Sequence, residues 1–209
     1  MNNPPTSVGG IFDTRNAFVC RLDLNNPPTA VGGISQFSCW KMVEEKPSIE
    51  IRLATREDAP KIASLLYDSF LEYRSDYTDE GFAATTPTSE ELQNRMIEGP
   101  VWIALQDRRI VGTVSVVPRG EALYIRGMAV LPAARGLRLG ELLLKKVEGF
   151  AFAHDYKRLT LSTTPFLLRA IRLYEQSGFR HTSEGPNHLF GTPLFTMVKE
   201  LGITDEPFG

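Results

Sequence analysis

The loop Ala133–Leu139 carries Arg135, Gly136 and Arg138, is followed by Gly140, and feeds directly into an apolar-periodic helical stretch. A helix N-terminus presents unpaired backbone N–H groups and about half a positive charge. Glycines let an anion approach those groups, and the two arginines add full charges at the same place. The residues therefore make a candidate pyrophosphate cradle. No Gly-Lys-Ser/Thr follows the glycines, so this is not a Walker A loop, and the G-x-G-x-x-G spacing of a dinucleotide fold is missing. A plain charged turn accounts for the same loop, so its meaning depends on the elements around it.

Other groups could act as acids, bases or ligands. Tyr174 lies four after Ala170 and three after Ile171 in a helical pattern, on the apolar face, where a packed core tyrosine is the ordinary reading. Glu121 precedes an apolar strand and Glu72 closes a helical stretch; either could take a proton from an incoming nucleophile. His154, His181 and His188 form no metal-ligand spacing with a carboxylate or thiol, so no metal is expected. Residues 48–209 contain no cysteine, which argues against a covalent thiol route.

The elements that must position these groups begin near Ser48. Ile49–Leu53 alternates apolar and polar, as a half-buried strand does. Thr55-Arg56-Glu57-Asp58 resembles a capping box before a helix with Ile62, Leu65, Leu66, Phe70 and Tyr73 at helical spacing. Residues 74–87 read as a polar, aromatic-spotted loop, and Ser89–Ile97 as a short helix broken by Gly99-Pro100. Strands are predicted over Val101–Leu105, Ile110–Val117 and Ala122–Leu131, the last ended by Pro132. A helix with Leu139, Leu142, Leu143, Val147, Phe150 and His154 on one face precedes a strand at Arg158–Ser162. Thr164-Pro165 reads as an N-cap with proline at the first helical position, opening a helix that runs to about Gln176 and exits at Gly178. Strands near Phe179–His181 and Leu194–Lys199 complete an α/β domain, a mixed sheet with helices on its faces.

Residues 1–47 differ. Asn2–Ile11 (NNPPTSVGGI) and Asn25–Ile34 (NNPPTAVGGI) match at nine of ten positions, each centred on Pro-Pro and Gly-Gly. Two such copies suit a flexible low-complexity extension better than a stacked repeat. Both cysteines, Cys20 and Cys39, lie there. Residues 1–41 are expected to be dispensable, with Met42 a plausible start. The chain of 209 residues carries 23 Lys+Arg against 25 Asp+Glu, a formal charge of −2, which gives no global electrostatic case for nucleic acid or an anionic membrane. No apolar run approaches the roughly 18 residues of a membrane helix, and a cytoplasmic location is expected.

Arg135-Gly136-Leu137-Arg138-Leu139-Gly140, preceded by Ala129-Val130-Leu131-Pro132, resembles the acyl-CoA-binding motif of the GNAT N-acetyltransferases, Gln/Arg-x-x-Gly-x-Gly/Ala after a strand. Downstream, Ala170-Ile171-Arg172-Leu173-Tyr174-Glu175-Gln176-Ser177-Gly178-Phe179 is similar to the family's A-x-x-L-Y-E-x-x-G-F. Both stand in the right order, separated by one helix and one strand, and the resemblance covers about residues 49–201. It departs at two positions. Arg138 stands at the usual first motif glycine, so its side chain must point away from the pyrophosphate or reach around to it. Leu167 stands where the family often has a cofactor-contacting asparagine.

The resemblance implies a single GNAT-like domain over 48–209, with a mixed, mostly antiparallel sheet flanked by helices. It implies transfer of an acetyl group from acetyl-CoA, the acyl donor, to an amine of a small molecule or peptide. It assigns cofactor binding to Met128, Ala129, Val130 and the loop Arg135, Gly136, Leu137, Arg138, Leu139 and Gly140, and the role of general acid to Tyr174. Glu121 and Glu72 remain the candidate bases. Dimerisation is common in such proteins. The resemblance implies an acceptor pocket built from the first two helices, their connection and the final hairpin; in the connection, Tyr73, Tyr77 and Phe82 with Glu72, Asp76, Asp79 and Glu80 would suit a cationic amine. A non-enzymatic acyl-CoA-binding module is the alternative.

Overall fold

A computed structural model describes residues 48–185 and 187–202. The repeat-bearing extension, with Cys20, Cys39 and Met42, lies outside the described residues, as does the last stretch from 203. In chain order the elements are β1 (Ile49–Leu53), α1 (Ala59–Phe70), α2 (Asp79–Thr85), α3 (Ser89–Glu98), β2 (Val101–Gln106), β3 (Arg109–Arg119), β4 (Ala122–Val130), α4 (Leu139–Ala153), β5 (Arg158–Thr163), α5 (Leu168–Gln176), β6 (Arg180–Thr182), β7 (His188–Leu189), β8 (Thr192–Pro193) and β9 (Phe195–Glu200). Seven strands form one sheet in the order β1-β2-β3-β4-β5-β9-β6. Every neighbouring pair is antiparallel except β4 and β5.

The sheet is covered on both faces. In β2, Val101, Ile103 and Leu105 pack with Ile62 and Leu66 of α1 and Leu92 of α3. Trp102 and Ala104 point the other way, into a cluster with Leu143 and Val147 of α4 and with Val114, Leu123 and Leu159 of the sheet. Successive side chains of a strand face opposite sides, so a strand buried on both must be apolar throughout, as VWIAL is.

The predicted entry to α1 is present in full. Asp58 Oδ2 accepts from the Thr55 backbone N–H (2.8 Å) and hydroxyl (3.1 Å), and its two carboxylate oxygens accept from Arg52 Nη1 (2.7 Å) and Nη2 (3.0 Å). The Arg52 hydrogen bonds, foremost, hold the buried Asp58 carboxyl far below the usual carboxylate range. A carboxyl whose folded pKa is depressed adds stability above its unfolded value of about 4 and loses it as pH falls below that. Asp58→Asn is expected to cost about 1–3 kcal/mol at neutral pH. Thermal melts should show the gap between wild type and variant closing between roughly pH 4 and pH 2; a gap independent of pH would exclude the ionised carboxylate as its source.

Two elements differ from the sequence expectation. Residues 74–87 are not one loop: α2 lies inside them, with the Thr78 hydroxyl accepting from Gly81 N–H (3.1 Å) as its N-cap and Asp79 and Glu80 in the first turn. Its capping signal was written in the sequence but masked by the polar composition. Thr78 also anchors the β7–β8 hairpin, donating from its backbone to Thr192 Oγ1 (3.1 Å) and from its hydroxyl to the Phe190 carbonyl (2.8 Å). The last helix, α5, starts at Leu168, not at Pro165. Residues Thr164–Leu167 form a turn instead. It places the Phe166 ring 4.8 Å from that of Tyr77 and 6.2 Å from that of Tyr73, a tertiary contact set against the preference of proline for the first helical position.

Candidate active site

The site starts from an interruption in β4. Ser115 pairs with Arg126 and Thr113 with Ala129, so β4 holds one residue more than β3 across this step. Gly127 at φ +62° supplies the left-handed backbone that such a bulge needs, and Ser115 Oγ donates to the Arg126 carbonyl at 2.7 Å. The bulge shifts the strand's alternation by one. Before it, Leu123 and Ile125 face α4; after it, Met128 and Val130 do, while Ala129 joins the α1/α3 side.

Beyond the bulge the sheet opens. β4 pairs with β5 only from Ala122 to Ile125, whereas β5 continues along β9 to Thr163. Among the described residues, from Arg126 to Val130 the edge of β4 that faces β5 has no strand beside it, which leaves its backbone groups on that side able to bind something else. The gap is part of a cleft of about 720 Å³. Its walls include Met128, Ala129, Val130 and the loop residues Arg135, Gly136, Arg138, Leu139 and Gly140 from one side, and Thr163, Leu167, Leu173 and Tyr174 from the other.

The N-terminus of α4 opens on this cleft. Arg138 is its N-cap at φ +56° and caps nothing with its side chain. A left-handed residue is what the glycine of the resembled motif would supply at no steric cost. Here arginine adopts it, and its side chain turns outward to Glu141, with Nε 3.0 Å from both carboxylate oxygens. It therefore points away from the backbone cradle. Arg135 is engaged by an ion pair with Glu72, which draws the Glu72 carboxyl below its ordinary range. Leu137 does not line the cleft; it packs against the core below α4. Leu167 does line it, at the position of the family's asparagine, as an apolar wall.

Tyr174 lies in the cleft wall on α5, nine-tenths or more buried, with its ring 5.8 Å from that of Phe179. Burial, foremost, and then the neighbouring phenols Tyr124 and Tyr77 push its pKa well above the usual tyrosine value. The phenol stays protonated and able to donate. The expected base is not there. Glu121 sits in the β3–β4 turn, at the opposite end of β4 from the cofactor loop, exposed, with its carbonyl accepting from Lys157 N–H (2.8 Å). Glu72 is held by Arg135 outside the cleft lining. The histidines do not line it either: His154 stacks on Phe150 (3.9 Å) and His181 on Phe195 (4.3 Å).

The acceptor end also departs from expectation. Tyr73 and Tyr77 line it, but Asp76, Asp79 and Glu80 do not; Asp79 pairs with Arg74. Sequence reasoning missed Ser69, Tyr124, Arg95, Arg126 and Arg169, all lining residues. One signal was available: Arg126 is a charge inside an otherwise apolar central strand, LYIRGMAV, where an unpaired charge is costly.

A splayed strand pair leading to a bare helix N-terminus, with a protonated tyrosine on the helix two elements later, agrees with the resemblance in the motifs. Residues 62–179 match the model of the acetyltransferase (GNAT) family. The chain belongs to this family. Among relatives, it is 30% identical over 138 residues to the uncharacterised N-acetyltransferase YjgM of Escherichia coli, covering 63% of this chain and 81% of that one. It is 29% identical over 102 residues to the N-acetylaspartate synthetase of Homo sapiens, covering 48% of this chain and 34% of that one. The GNAT fold is shared with the PaiA N-acetyltransferase of Thermoplasma acidophilum in complex with coenzyme A, at a TM-score of 0.64 and 18% identity, covering 73% of this chain and 99% of that one. It is shared likewise with YncA of Salmonella typhimurium with acetyl-CoA, at a TM-score of 0.59 and 19% identity, covering 76% and 97%. GNAT enzymes are acetyltransferases that use acetyl-CoA, and the seven-stranded mixed sheet described above is their fold.

Proposed function

We propose that this N-acetyltransferase passes the acetyl group of acetyl-CoA directly to a primary amine in the cleft. The observation that carries the reading is the open β4 edge from Arg126 to Val130, ending at the α4 N-terminus with Tyr174 in the facing wall. The residues present fit the donor: a backbone edge without a strand partner, a helix N-terminus without a side-chain cap, and Gly136 and Gly140 where backbone must be approached closely. Acetyl-CoA supplies the activated acyl group. Of Met128, Ala129 and Val130, Met128 and Val130 turn their backbone N–H groups to the open edge, where they can hold the carbonyl and stabilise negative charge on its oxygen, while the Ala129 N–H, opposite Thr113, faces β3. The amides from Gly136 to Gly140 hold the pyrophosphate, and Tyr174 Oη–H supplies the proton that the departing thiolate needs.

The amine must be neutral to attack, yet the acceptor end of the cleft carries no carboxylate or histidine among its described lining residues. The proton therefore passes to solvent, and Glu121 is left without a part in the step. kcat/KM is expected to rise with pH in step with the acceptor amine's own ionisation, because the neutral fraction rises. Two acceptors that differ by one unit in amine pKa should give profiles displaced by about one unit; coincident profiles would point to a titrating protein base.

A panel of primary amines with acetyl-CoA, followed by release of free thiol, tests the reading. Amine-dependent release is expected. Tight acetyl-CoA binding with no release from any amine would instead favour a binding module. The activity is placed in residues 48–209, and a protein lacking residues 1–41 should retain it.

A further inference from the structure

Arg126 and Arg95 both line the cleft, near enough for the charge of one to bear on the other. Arg126 leaves β4 immediately before the Gly127 bulge, on the face that carries α3, and its Nη1 donates to Glu98 at 2.9 Å. Its Nε and Nη2 are buried and find no acceptor among the described residues. Arg95 projects from α3, donates from Nη2 to the Ala84 carbonyl at 2.9 Å, and also lines the cleft. Burial, foremost, and then the like charge of Arg126 draw its pKa down.

The charges around the pair do not cancel. Of the nearby carboxylates, Glu98 serves Arg126, and Glu91 is pinned to the backbone and hydroxyl of Thr88 by its capping box. The cleft lining contains five arginines, Arg95, Arg126, Arg135, Arg138 and Arg169, and one carboxylate, Glu141, already bound to Arg138 at the far end. Ser69, in the same lining, keeps a buried hydroxyl without a partner among the described residues. Buried guanidinium N–H groups without acceptors are costly, and a planar fork of donors matches a carboxylate better than any other common group.

We propose that the acceptor amine carries a carboxylate, seated between Arg95 and Arg126, so that the substrate class is an amino acid rather than a simple amine. This rests on the acetyl-transfer reading above. It also replaces the cationic-amine pocket expected from the acidic residues of 72–80, which point elsewhere. The anion completes the donors of Arg126, relieves the repulsion between the two guanidiniums, and fixes the amine at a set distance from the Gly127 bulge.

The test uses matched acceptors that differ only in the carboxylate: L-leucine with isoamylamine, and L-phenylalanine with phenethylamine. In the wild-type protein the carboxylate member of each pair should have the higher kcat/KM for its neutral form, by about 10–100-fold, the worth of a charge-assisted hydrogen bond; each rate is divided by the neutral fraction of its amine, because a carboxylate on the same carbon also lowers the amine pKa. Arg126→Gln should bring the ratio close to one, Arg126→Lys should restore part of it, and acetyl-CoA affinity by calorimetry should stay as in wild type. Arg95→Gln provides a second variant should Arg126→Gln fail to fold. Equal or better use of the amines without a carboxylate overturns the proposal and leaves acetyl transfer intact. Loss of acetyl-CoA affinity in Arg126→Gln with an unchanged ratio would assign the site to a phosphate of the donor and also overturn it. If no amine is turned over, the acetyl-transfer reading fails, and binding decides the carboxylate seat separately. N-acetyl-L-leucine should raise the melting temperature of the wild type and not of Arg126→Gln; no shift in either overturns it.

Discussion

Replacing Tyr174 with phenylalanine should lower kcat by about 10²–10⁴-fold, the usual worth of a positioned general acid, and leave acetyl-CoA affinity unchanged. The substitution removes one oxygen from a side chain that is buried in the wall of the cleft. The ring, with its packing 5.8 Å from Phe179, is kept, so neither fold nor cofactor cradle is touched. What is lost is a proton source at the place where a thiolate must leave. Burial and the phenols of Tyr124 and Tyr77 keep that proton on the oxygen. The folded pKa lies above the free value of about 10, so kcat should show no alkaline fall from this group below about pH 10. Single-turnover kinetics with the true acceptor checks the size of the effect. An unchanged rate would return Tyr174 to a purely packing role and shift the proton to water.

Gly136→Val should have the complementary signature: weaker acetyl-CoA binding, with the melting temperature little altered. Gly136 holds φ +91°, and a Cβ built there meets nothing within 4 Å. There is no clash to disturb the fold, only a backbone conformation that a β-branched residue adopts at a cost of about 1–3 kcal/mol. The loop can relieve that strain by rotating its peptide units, which takes the amides out of the arrangement at the α4 N-terminus. At 1.4 kcal/mol per decade, dissociation constants about 10–100-fold higher are expected by calorimetry. Arg138, three-quarters exposed and turned to Glu141, should by contrast tolerate replacement by glycine with affinity unchanged, because the αL position suits glycine at least as well. A large loss in Arg138→Gly with none in Gly136→Val would mean that the side chain, and not the backbone, holds the phosphates. Together with the Tyr174 variant, these changes separate holding the donor from acting on it.

Where the chain uses local signals, its sequence alone was sufficient. The alternation of Ile49–Leu53, the Thr55–Asp58 capping box, the apolar run of β2, the strand that ends before Pro132 and the helix beginning at Leu139 all follow from side-chain period and termini. The two motifs, 129–140 and 170–179, lie on either side of one cleft because a parallel step between β4 and β5 brings α4 and α5 to the same end of the sheet. The resemblance also assigned Tyr174 a part in the reaction, and its side chain lines the same cleft as Arg135, Gly136 and Gly140. Where two interactions compete, tertiary structure decided. An edge-to-face contact of Phe166 with Tyr77 accompanies the start of α5 beyond Thr164-Pro165, and the link from Thr78 to the β7–β8 hairpin accompanies a helix inside residues read as a loop.

Charge was the least legible property. Carboxylates near an aromatic segment suggested a pocket for cations, yet Glu72 and Asp79 are spent on Arg135 and Arg74, and Glu121 lies at the wrong end of its strand. A charged residue's role depends on which opposite charge it reaches in the fold, and for two of these pairs that partner is far away in sequence: Glu72 and Arg135 are 63 positions apart, Glu98 and Arg126 are 28. The amino-acid sequence by itself determined the α/β sheet, because strand period and helix termini are local, and it carried the two motifs through which the family resemblance was read. Only the tertiary structure decided that the cleft is lined by several arginines and that Arg126 keeps buried donors without a partner among the described residues, because burial and pairing are set by segments that meet only when the chain is folded.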